Sequence, residues 1–148
     1  MTDLEEAMKV YEVHRLAKTY LDGGNKHAVF EALIAARITK VLVEFDGYSD
    51  SGQLEGPSFF SGEASVEPPT TNVTLQRLAF GAAEPQAVEL TLLEAIDELC
   101  YGYLETRHSG WEINDGAYGE FTFDVARYNV RLVFHRRFTD VLSDGTNF

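Results

Sequence analysis

The chain has 148 residues and carries 24 Asp/Glu against 12 Lys/Arg, a net charge of −12. Its hydrophobic content of 45%, with ten Phe and seven Tyr, excludes a disordered chain. A single cysteine, Cys100, excludes an intrachain disulfide and a cysteine-based zinc site.

This length suits one domain, able to bury roughly 68–70% of its unfolded surface without staples. No apolar run approaches the roughly 18 residues needed to span a bilayer. The first residues, Met1 to Glu6, are acidic where a signal peptide would be basic. A soluble cytoplasmic protein is expected.

The charge is uneven. Val41 to Val125 hold 16 acids and two bases, Arg77 and Arg107, giving −14. The flanks hold the other eight acids and ten bases, giving +2. Direct nucleic-acid binding needs the opposite sign, and so does an anionic membrane surface. The field suits basic proteins, basic peptides or metal cations, and it also serves plain solubility.

The N-terminal pattern predicts a helix from Asp3 to Leu21, with Leu4, Ala7, Met8, Tyr11, Ala17, Tyr20 and Leu21 mostly three or four apart. Gly23-Gly24 predicts its stop. Asn25 is placed to cap a second helix through about Arg37, with Phe30, Leu33, Ile34 and Arg37 on its face. The period then becomes two. "ITKVLVEF" predicts a strand, with Val41, Val43 and Phe45 on one side. "DGYSDSGQ" reads as a turn. A weaker strand is expected over Gln53–Phe60, a loop at Pro68-Pro69, and a strand over Asn72–Leu78. Residues 79–88 read as loop.

Thr91-x-x-Glu94 fits a capping box, in which hydroxyl and carboxylate each satisfy an orphan amide. It opens a helix with Leu92, Ile96, Leu99 and Tyr103 as its stripe, ending near Gly110. Cys100 sits on that stripe and reads as core. "GEFTFDV" and "NVRLVFHRRF" alternate cleanly about a turn at Ala126–Tyr128 and predict an antiparallel hairpin. On its second strand Arg131 and His135 share the face opposite Leu132 and Phe134. Residues 139–148 read as irregular. The order ααβββαββ implies a single α+β domain over residues 1–148. It has a mostly antiparallel sheet of four or five strands and three helices on one face.

Familiar signatures of catalysis are absent. No phosphate-binding or dinucleotide glycine loop is present, and His14, His27, His108 and His135 are scattered. Two acidic, glycine-bearing stretches remain: "EFDGYSDSGQLE", with Asp46, Asp50, Gln53 and Glu55, and "GWEINDGAYGEF", with Trp111, Glu112, Asn114, Asp115 and Glu120. Asp and Asn suit turns because they bond nearby amides, and Gly116 and Gly119 permit positive φ. Exposed, the same residues form a binding edge, with Trp111 either an anchor or a lid on the core. Carboxylates from both stretches, Asp46, Asp50, Glu112 and Asp115, are also the oxygen ligands that Mg²⁺ or Ca²⁺ would take. Neither stretch matches the twelve-residue calcium loop.

"DGYSDSGQLE" and "GWEINDGAYGEFTFDV…VRLVFHRRFTD" resemble a family of small bacterial proteins catalogued as a domain of unknown function. The resemblance covers roughly residues 25–148. It picks out Asp46, Asp50, Ser51, Gly52, Gln53 and Glu55, then Gly110, Trp111, Glu112, Asn114, Asp115, Gly116, Gly119, Glu120 and Phe121. Where that family has two asparagines before the aspartate, this chain has Ile113-Asn114. The resemblance implies a bacterium or a mobile element as source and carries no activity.

The expected function is a non-enzymatic acidic module that engages a basic protein or peptide, nucleic-acid mimicry being its extreme form. The second reading is a protein binding a divalent metal, with metal-dependent hydrolysis as its catalytic version.

Overall fold

A computed structural model describes residues 3–48, 51–79, 82–108 and 116–136. The chain begins with one helix, α1, over Asp3–Ala35. The expected break at Gly23-Gly24 does not occur, so two helices are described where three were expected. Both glycines lie in open space, and neither takes a left-handed φ. Two interior glycines cost about 2 kcal/mol against alanine. Burial of Val29, Phe30 and Leu33, each contributing about 1.5–3 kcal/mol, outweighs that cost.

Asn25 is therefore not a cap. It is buried mid-helix and clasps the strand beside it. Its Nδ2 donates to the Gln76 carbonyl at 2.9 Å, and its Oδ1 accepts the Gln76 amide at 2.8 Å. The helix ends two residues before Arg37, which adopts a left-handed φ of 62°. The Ile38 amide donates back to the Leu33 carbonyl at 2.9 Å, and both side chains are buried. This is the Schellman arrangement with arginine where glycine is usual.

Among the described residues eight strands follow: β1 (Lys40–Tyr48), β2 (Ser51–Leu54), β3 (Ser58–Ser61), β4 (Ala64–Val66), β5 (Asn72–Arg77), β6 (Gln86–Thr91), and, after helix α2 (Leu92–Arg107), β7 (Ala117–Asp124) and β8 (Asn129–Arg136). The main sheet runs β4-β3-β1-β7-β8, with β2 on the same edge of β1 as β3. The ribbon β5-β6 is separate, and every pairing is antiparallel. The α+β class holds. The expected weak strand is two short ones, parted at Glu55-Gly56-Pro57, since proline cannot donate to the ladder. Part of the expected 79–88 loop is β6, which runs straight into α2.

Thr91 closes β6 and caps α2 in a complete capping box. On α2, Leu92, Ala95, Ile96, Leu99, Cys100 and Leu104 are buried. Burial raises the Cys100 thiol well above its ordinary pKa, with Asp97 adding to it, so Cys100 is core. The inner sheet face presents Val41, Val43, Phe45, Phe121 and Phe123 to the helices. Phe30 stacks on Phe123 and Tyr128 at 5.8 and 5.0 Å. The Tyr101 hydroxyl accepts the Leu54 amide at 3.2 Å, which ties α2 to β2. No described helix is long and apolar enough to cross a membrane.

Candidate functional site

The two acidic stretches meet through β1 and β7. Strand β1 continues to Tyr48, so Asp46 lies in a strand and not in a turn. Gly47 pairs with Ala117, and Tyr48 pairs with Ser51. Tyr48, Ser51 and Gly116 thus converge at one end of the sheet.

Alternation sends Val43 and Phe45 inward, and Glu44 and Asp46 outward. Glu44 stands directly opposite Glu120 on β7. On its other side the Glu55 amide donates to the Glu44 carbonyl at 2.8 Å. Leu54, paired with Phe45, is buried, so the exposed Glu55 falls to the outer face. Glu55, just past β2, forms a row with Glu44 on β1 and Glu120 on β7. One step along, Asp46 stands opposite Tyr118, whose ring stacks on His135 at 4.8 Å.

Like charges directly opposite on a sheet are destabilising. Among the described residues Glu44 and Glu120 have no ion pair. Half-buried Leu42, Thr122 and Val133 lie beside the row. On this face Glu44, Asp46, Tyr118 and Arg131 are exposed.

Of the expected binding residues, Asp46, Glu55 and Glu120 are brought to this face, and the Gln53 backbone pairs with Asp46. Asp50, Trp111, Glu112, Asn114 and Asp115 lie outside the described residues, as do Gly110, Arg137 and residues 139–148. So do three of the four carboxylates of the metal reading. Among the described residues no three His, Cys, Asp or Glu side chains converge to hold a metal ion. Glu44 was missed because the polar side of a strand reads as ordinary solvent face. Its parity with Asp46 was the available signal.

Gly116 has a φ of 77°, as its turn role requires. Gly119 does not share that role. A Cβ there would meet the Val133 carbonyl at 2.0 Å and the Phe45 ring at 2.9 Å, so Gly119 provides space. At the turn of the β7–β8 hairpin Arg127 pairs with Asp124 at 3.7 Å. Arg131 and His135 are exposed on the acidic side, while Phe134 stacks inward on Phe45 at 6.0 Å.

A second feature was not visible in the sequence. A cavity of about 540 Å³ opens at the end of α2, lined by Lys26, Tyr103, Arg107 and His108 over Phe121, Val130 and Leu132. Its cations come from positions far apart in the chain, so no local motif announces it.

These features define an α+β domain with helices on one face of an antiparallel sheet and an acidic row on the other. The chain belongs to DUF6878, a family of unknown function, whose model matches residues 21–147. No curated protein and no solved structure matches it.

Proposed function

We propose that the outer face of the six-stranded sheet is a docking surface for a basic protein or peptide. The observation that carries this reading is the row Glu55–Glu44–Glu120, with Asp46 beside it and half-buried apolar side chains around it. Repulsion across the row destabilises the free protein, and a partner's Lys or Arg would relieve it. Apolar neighbours would supply desolvation that charge alone does not. A protein whose basic groove ordinarily meets phosphates is one partner of the required chemistry, which is the sense in which mimicry applies.

Calorimetric titration with an arginine-rich peptide tests the reading. Binding is expected at low salt and should weaken strongly at roughly tenfold higher ionic strength, where the Debye length falls about threefold. The double variant Glu44→Gln/Glu120→Gln should bind roughly fivefold more weakly, the scale of two exposed ion pairs. Equal affinity of parent and variant would reject this face.

A further inference from the structure

We propose that the cavity between the end of α2 and the β7–β8 hairpin binds a small organic anion, a carboxylate or phosphate carried on an apolar body. The chain has twice as many acidic as basic residues, yet among the described residues none of the side chains lining this cavity is acidic. Lys26 and Arg107, which line the cavity, have no ion pair among the described residues. Cations that line one cavity repel one another, and a bound anion offsets that cost.

Two further groups favour the same ligand. The Tyr103 phenol is a hydrogen-bond donor at neutral pH, and burial, then Cys100 and Asp22, push its pKa up to about 12. His108 is fixed flat against Phe134, with ring centroids 3.7 Å apart and planes within 4°. Burial, Arg136 and Arg107 hold its pKa below the ordinary value, so positive charge from two arginines reaches the imidazole. Phe121 is buried and Val130 and Leu132 half-buried, which gives the apolar floor. A volume of about 540 Å³ suits a small molecule. The cavity lies on the inner side of the sheet, away from the acidic row, so the two proposals stand or fall separately.

The test is an NMR titration of the full chain with benzoate and phenyl phosphate, using benzyl alcohol and benzylamine as uncharged and cationic controls. Saturable shifts at His108 and Leu132 are expected with at least one anion and not with benzylamine. The His108 pKa should rise on binding, because the anion offsets the arginine field. Arg107→Gln and Lys26→Gln, both at solvent-reaching positions, should each weaken binding about tenfold. Benzyl alcohol or benzylamine binding as tightly as the anions would overturn the proposal. So would no shift with either anion, or unchanged affinity in both variants.

Discussion

Gly119 shows how one residue can be placed correctly and explained wrongly. Its position before an alternating strand suggested a conformational role, yet what it supplies is room for the β8 backbone and the Phe45 ring. Sequence reports that a glycine is present but not what approaches it across a sheet. Gly119→Ala should therefore lower stability by about 1–3 kcal/mol, the scale of overpacking. In a chain of this length that lowers the melting midpoint by several degrees. An unchanged midpoint would mean that β7 and β8 are not packed as described. Asn25 makes the complementary point. A side chain chosen as a cap satisfies a strand's backbone instead, because α1 lies against β5 and Gln76 needs partners there.

At the scale of elements, legibility followed the strength of the local pattern. β1, β7 and β8 were read from their alternation, and α2 from its capping box. The Glu94 carboxylate accepts the Thr91 amide at 3.0 Å, and its own amide donates to Thr91 Oγ1 at 3.1 Å. The bond from the Thr91 backbone, then its hydroxyl, hold the Glu94 carboxyl below the ordinary carboxylate value. A depressed folded-state pKa adds stability above the unfolded value, near pH 4.3, that is lost as pH falls through the folded value. The advantage of the parent over Glu94→Gln in thermal melts should shrink below about pH 4. A gap that stays constant into acid would deny the carboxylate's role.

The glycine pair is where tertiary packing overrode a local signal. If α1 is continuous, Gly23→Ala and Gly24→Ala should each raise stability by about 0.5–1 kcal/mol, since neither site is crowded or left-handed. Destabilisation by both would instead restore the two-helix reading. The short strands β2 and β3 were only partly legible and β4 was not read at all, because three- or four-residue strands carry too few alternations to set a period.

For the whole molecule, the uneven charge was legible and its arrangement was not. The −14 segment between Val41 and Val125 reaches into the strands. Part of it becomes a row of carboxylates on one sheet face, because β1 and β7 pair with Glu44 opposite Glu120. Pairing register cannot be read from either strand alone. The same limit hid the cationic cavity, whose lining depends on α1, α2 and the β7–β8 hairpin coming together. We propose above that this acidic face meets a basic partner. The most direct measurement maps backbone amide shifts on titration with the arginine-rich peptide at low salt. The largest shifts are expected at Glu44, Asp46, Glu55 and Glu120, fading together as salt is raised. Shifts spread evenly over the acidic surface, or centred away from these strands, would contradict it.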